Sequence, residues 1–229
     1  SAAAVFMMSW YVIRRTGSVY YTLFFINPAF INLAIEQIRS GLASGFFFIA
    51  VLTENIVIKI ALVALAASFH TAFFLLGGFY LGFLLLKKFA VGEKILSKPE
   101  VTFAIVAVLA LIVTLFRGAA LQYIGDERGD LVITFTDRIS LSLAFASFIL
   151  TYILFLEVRR FTFEGAFYTF SVMTALFSVF AAVYGVRFIG IAIPALAVMA
   201  SEISPRYRTF FILQYAALSA LYFWYWLQY

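Results

Sequence analysis

Long apolar runs follow one another from end to end of this 229-residue chain, each broken only by a short charged stretch. That punctuation constrains the fold more than any motif does. Hydrophobic residues make up 65% of the sequence and charged residues 12%, and one globular core in water cannot hide so much apolar surface. The runs do not alternate apolar with polar residues, which excludes an outer-membrane barrel built of alternating segments of about ten residues. The expectation is an all-α, polytopic helical membrane protein whose solvent is the bilayer.

Ten membrane segments are predicted, at 2–13, 18–36, 38–53, 55–70, 71–86, 101–117, 138–157, 164–186, 187–202 and 209–228. Several hold about 15 to 17 residues, or about 24 Å of helix, short of a hydrocarbon core of roughly 30 Å. Such helices stop inside the membrane or line a wet cavity. Pro28 and Pro194 interrupt apolar runs and are expected to break or kink their helices. No internal repeat or low-complexity linker is visible, so residues 1–229 read as a single transmembrane domain. The chain starts at Ser1 inside an apolar stretch without a charged leader, and further natural N-terminal helices are expected to precede it.

Strict alternation of these segments sorts the charges. Arg14, Arg15, Lys59, Lys87, Lys88, Lys94, Lys98, Arg159, Arg160, Arg206 and Arg208 fall on one face; Arg39, Arg117, Arg128, Arg138 and Arg187 fall on the other. Every lysine lies on the first face, which the positive-inside rule makes cytoplasmic. The outer face keeps arginine alone, whose planar guanidinium holds phosphate or carboxylate in a bidentate fork. The outward side is thus suited to an anion. The net charge of +5 reports orientation in a membrane, not a nucleic-acid partner.

Four places carry residues suited to chemistry. Glu36, Gln37 and Arg39 sit between two apolar runs, in Asn32-Leu-Ala-Ile-Glu36-Gln37-Ile-Arg39-Ser40-Gly-Leu-Ala43. Ionisable groups at membrane depth are costly and usually face the protein interior. Glu36 and Arg39 share a face if the segment is helical. They read as a structural ion pair at a helix turn, or as an arginine aimed at a ligand phosphate and oriented by Glu36. His70, the single histidine, falls at the outer end of segment 55–70. Its ordinary pKa of about 6.5 suits proton transfer; the competing reading is a capping or core imidazole satisfied by a backbone carbonyl. Arg187 lies between two apolar runs and either reaches the outer headgroups or meets a ligand beside Gly185. The external loop 118–137 carries Asp126, Glu127, Asp130 and Asp137. These carboxylates can act as a base, bind sugar hydroxyls, hold a divalent ion or merely solvate the loop.

Other chemistries are excluded. The chain has no cysteine, so disulfides, thiolate catalysis and cysteine metal sites do not arise. One histidine cannot build a multi-histidine centre. No P-loop, dinucleotide glycine fingerprint or HExxH pattern is present.

The motif Gln37-Ile-Arg39-Ser40-Gly-Leu-Ala43, the basic turn at Lys59 and then Ala67-Ser68-Phe69-His70 resemble the EpsG family of Wzy-like bacterial polysaccharide polymerases. Members show an Asn-x-x-Arg-Gln-x-x-Ala type motif, a basic cytoplasmic turn and an Ala-x-x-x-His motif one helix later. Arg187-Phe188 is similar to an Arg-Phe pair that opens a late helix in the family. Ser40 stands where glutamine is usual and Glu36 where asparagine is common.

The resemblance implies a GT-C-like membrane glycosyltransferase in the bacterial cytoplasmic membrane, with its active site facing outward. The donor is a glycan on undecaprenyl diphosphate and the acceptor a hydroxyl of another lipid-linked repeat unit, with inversion at the anomeric centre. Arg39 and Arg187, with Arg117 and Arg138 behind them, are expected to stabilise the leaving diphosphate. His70 is the first choice of base, followed by Glu36 or a loop carboxylate. No dedicated metal cage is visible and no cofactor is required, although a divalent ion stays compatible with the loop. A chain-length regulator and a flippase are the implied protein partners. The rival readings are a carrier or flippase for a lipid-linked or anionic solute and a glycan ligase.

Overall fold

The computed structural model describes residues 2–123, 162–180 and 187–227, and these are helical with no strand among them. The helices are α1 (Ala2–Thr16), α2 (Pro28–Ile31), α3 (Ile38–Leu52), α4 (Ile56–Phe69), α5 (Ala72–Lys88), α6 (Ala90–Leu96), α7 (Pro99–Tyr123), α8 (Phe163–Phe180), α9 (Arg187–Glu202) and α10 (Pro205–Trp226). A 3₁₀ turn (Val19–Phe25) and a π-helical segment (Asn32–Glu36) flank α2.

Local chemistry sets the helix starts. The Asn55 side chain accepts hydrogen bonds from the backbone N–H groups of Val57 (2.9 Å) and Ile58 (3.3 Å), so α4 begins one residue later. The Thr162 hydroxyl accepts from the Gly165 N–H at 3.3 Å and opens α8. Pro28 occupies the first turn of α2, where its missing N–H costs nothing, and Asn27 caps it by accepting from the Ala29 N–H at 2.9 Å. Pro28 therefore starts a helix after a break. Pro194 lies inside α9, which continues through it.

The predicted segment 18–36 is not one helix. It resolves into the 3₁₀ turn, a short link, α2 and the π segment. Apolar composition does not register the polar groups that break it. The Asn27 side-chain N–H donates to Ser219 Oγ at 2.9 Å, tying the break to α10. Gln37 donates its backbone N–H to Asn32 O at 3.0 Å and its side-chain N–H to Asn32 Oδ1 at 2.6 Å, closing the π turn. The chain then bends by 101° between Pro28–Ile35 and Ile38–Leu52.

Two glycines let this broken stretch approach its neighbours closely. A Cβ on Gly190 of α9 would lie 2.6 Å from Ala29 O, and one on Gly41 of α3 would lie 3.0 Å from Leu33 O. The broken stretch is thus held between α3 and α9 by backbone-to-backbone contact.

The core sits where α1, α3, α5 and α8 meet. Phe47 is fully buried, with ring centroids of Phe48, Phe73, Tyr80, Phe163 and Phe167 between 5.3 and 6.3 Å away. These contacts fix direction: α5 runs antiparallel to α8, because Phe79 pairs with Phe170 and Phe83 with Phe163. The α3 and α4 helices form an antiparallel hairpin. Among the described residues one helix, over Pro99–Phe116, is long and apolar enough to cross a membrane, or two if the bent pair counts as one span.

Candidate functional site

The bend at Gln37 decides where Arg39 goes. Gln37 takes φ −106° and ψ 61°, outside the helical region, so the helix restarts at Ile38 and Arg39 stands exposed on the first turn of α3. Glu36 is the last residue of the π segment, on the other side of the bend. The helical spacing that would put Glu36 and Arg39 on one face therefore does not hold. Arg39 has no ion-pair or hydrogen-bond partner among the described residues. A free guanidinium at a helix start meets the orphan N–H groups and positive dipole end of that helix, an arrangement that attracts anions. Two residues earlier, Gln37 Oε1 is buried without a hydrogen-bond donor.

His70 ends α4 in an extended conformation, and its backbone N–H donates to Ala66 O at 3.1 Å. The side chain turns forward: Nδ1 accepts the backbone N–H of Ala72 at 3.2 Å, and the ring meets Phe73 edge-on with centroids 6.3 Å apart. The imidazole thus caps α5. This resolves part of the sequence-based choice, with one difference: the ring is satisfied by an N–H donor. With Nδ1 occupied as acceptor, the neutral ring carries its proton on Nε2.

Because α3 and α4 are antiparallel, Arg39 and His70 lie at the same end of the hairpin. The first turn of α9 joins them there, since Gly190 packs on α2. Arg187 is the first residue of α9, and Arg117 lies on α7, which runs toward the same end. Arg138 and the loop carboxylates Asp126, Glu127, Asp130 and Asp137 lie outside the described residues.

The opposite end holds a charged cluster that sequence reading did not single out. Glu164, in the first turn of α8, is 1% exposed. Its Oε1 accepts from the Tyr11 hydroxyl at 2.9 Å and from Arg15 Nε at 2.8 Å, and Arg15 NH2 lies 2.6 Å away. Oε2 is buried without a partner. Burial works against the Arg15 cation, but the Glu164 carboxylate outweighs it and raises the guanidinium pKa. Lys59 of α4 completes this end by placing its ammonium 5.6 Å from the Tyr80 ring centroid. The sequence did hold a signal: one carboxylate opens an apolar run just after a capping threonine, where the helix dipole favours it. What it could not give was the partner, 149 residues away.

Among the described residues the basic side chains divide between the two ends as charge alternation predicts. Arg39 stands at one; Arg14, Arg15, Lys59, Lys87, Lys88, Arg206 and Arg208 stand at helix termini of the other. Comparison with known proteins finds no matching family model, no similar curated protein and no similar solved structure.

Proposed function

We propose that this chain is a membrane glycosyltransferase that joins lipid-linked glycan repeat units on the outer side of the bacterial cytoplasmic membrane. The observation that carries the reading is the 101° bend, which sets the exposed, unpaired Arg39 at a helix start, at the same end as His70 and the first turn of α9. A broken helix whose N-terminus bears a guanidinium is chemically suited to a diphosphate inside a bilayer. The membrane setting is supported by α4, which is apolar but for Lys59 and Ser68 and leaves Val57, Ile58, Ile60 and Leu65 exposed.

In the proposed reaction the acceptor hydroxyl attacks the anomeric carbon of the donor. The bond from that carbon to the diphosphate oxygen breaks, and its electron pair leaves on the diphosphate with inversion. Arg39, with Arg187 as its partner, neutralises the charge that grows there. His70 donates from Nε2 to a phosphate oxygen. The acceptor proton passes to a carboxylate, Glu36 or one from the external loop, because His70 Nδ1 is already engaged.

The test replaces Arg39, His70 and Arg187 singly by alanine in cells whose surface polysaccharide requires this chain. Short or absent polymer at normal protein level is the expected result for each. Long polymer from all three variants sinks the assignment.

One observation favours a second reading, a carrier for an anionic or lipid-linked solute. Glu164 is a buried carboxylate at the end opposite Arg39, and buried ionisable groups in membrane proteins mark ion and proton pathways. A carrier moves lipid-linked glycan without cleaving the glycosyl–diphosphate bond, whereas the transferase releases lipid diphosphate.

A further inference from the structure

We propose that the groove between α5 and α7 binds an anionic phospholipid, with one acyl chain along the groove and the headgroup at the lysines around α6. The inference depends on the membrane setting but not on the transferase chemistry. Phe74, Gly78, Gly82 and Leu86 recur every four residues and form one stripe of α5. Thr102, Val106, Leu109 and Val113 form the facing stripe of α7, and Ala166 and Phe170 of α8 make the floor. The space between them is about 490 Å³, within the range of roughly 300–1,000 Å³ that ligand pockets occupy.

Three observations select the occupant. First, the groove offers it no polar group: Thr102 is the one polar side chain in the lining, and its hydroxyl already donates to Ile95 O at 2.9 Å. The buried part of the ligand is therefore hydrocarbon. Second, a Cβ on Gly78 or Gly82 meets nothing within 4 Å, so the middle of the groove is open along its length. From Phe74 to Leu86 that length is about 18 Å, close to one leaflet, or half of a core of roughly 30 Å. Third, charge marks one end. Lys87 and Lys88 follow Leu86, while Lys94 and Lys98 flank Ile95 and Leu96 of the lining; all four are exposed. They outnumber Glu93 and Glu100, the acidic residues of the same stretch. At the other end the nearest ionisable residues in the sequence are His70, four residues before Phe74, and Arg117, four residues after Val113, a single arginine against the four lysines. A headgroup carrying negative charge thus belongs at the lysine end, the side where anionic lipids meet juxtamembrane lysines.

The test measures thermal unfolding of the purified chain in a zwitterionic detergent, with phosphatidylglycerol, phosphatidylcholine or glycerophosphoglycerol added. The expected result is a rise of several degrees in Tm with phosphatidylglycerol only. Gly82→Leu, which fills the open groove, and the fourfold change of Lys87, Lys88, Lys94 and Lys98 to Gln should each abolish that rise. The lysine variant alters only exposed side chains, so it decides the matter if Gly82→Leu does not fold. An equal rise with phosphatidylcholine overturns the headgroup assignment. A rise with the free headgroup, or an undiminished rise in either variant, overturns the groove. A chain that stays monodisperse without detergent overturns the membrane setting itself, independently of the lipid result.

Discussion

At the scale of single residues, the two side chains that the sequence picked out behave differently. Arg39 is exposed and unpaired, as a ligand-gripping arginine should be. Arg39→Lys keeps the charge but loses the planar fork, so polymer synthesis should fall about 100-fold or more, the usual cost of losing one well-placed donor to a developing anion. Unchanged synthesis in the lysine variant, measured as polymer per unit of protein, would mean that Arg39 supplies charge alone. His70 has a structural task that sequence could not reveal, the cap on Ala72. His70→Asn can keep that cap, and His70→Ala cannot. Both should lose polymer, while only the alanine variant should lower Tm, by the equivalent of about 1 kcal/mol. A fully active asparagine variant would reduce His70 to a cap. The Arg15–Glu164 pair is asymmetric: Arg15 is 41% exposed and Glu164 1%. Arg15→Ala strands a buried carboxylate with Tyr11 as its remaining donor. Glu164→Gln leaves an arginine that can still reach water. The arginine variant should be the less stable by about 2 kcal/mol, a figure already reduced for the partial exposure of the pair. Equal melting temperatures for the two variants would contradict this account.

At the scale of elements, boundaries were legible around the polar breaks near Gln37, Asn55 and His70, whereas the starts predicted at 101 and 209 lie at Pro99 and Pro205. The predicted 38–53 and 55–70 are Ile38–Leu52 and Ile56–Phe69, and the start predicted at 187 is the start of α9. The 18–36 stretch was not legible, because hydropathy is blind to Asn27, Asn32 and Gln37, which redirect the backbone through their own hydrogen bonds. The small α6 escaped too, being amid charged residues. The broken stretch depends on close backbone approach, so Gly190→Ala should push a Cβ into Ala29 O and cost about 1–3 kcal/mol. It should also move the bend that carries Arg39, lowering activity without touching a reacting group. Normal polymer and normal Tm in this variant would show that α9 does not hold the bend in place.

At the scale of the whole molecule, the distribution of charge was the most legible feature. Among the described residues, the lysines with Arg14, Arg15, Arg206 and Arg208 gather at one end, while Arg39, His70 and the α9 start share the other. If the chain spans the membrane as proposed, the His70 end faces out. The chain has no native cysteine, so Thr71→Cys and Ser97→Cys, both at exposed positions, report the two sides without background. An impermeant thiol reagent should label the first in intact cells and the second only after lysis. The reverse pattern would place the arginine site in the cytosol. The site as a whole was only partly readable, because long-range partners such as Glu164 for Arg15, and the groove between α5 and α7, arise from helix directions that no local pattern encodes.

The central claim is bond-breaking at a lipid diphosphate, and reconstitution tests it most directly. The purified chain is incubated with an oligosaccharide on polyprenyl diphosphate, and both glycan length and free lipid diphosphate are measured. The account predicts longer glycan together with stoichiometric release of lipid diphosphate, and neither from the Arg39→Ala variant. Lipid-linked glycan that crosses the bilayer of proteoliposomes intact, with no diphosphate released, would contradict it.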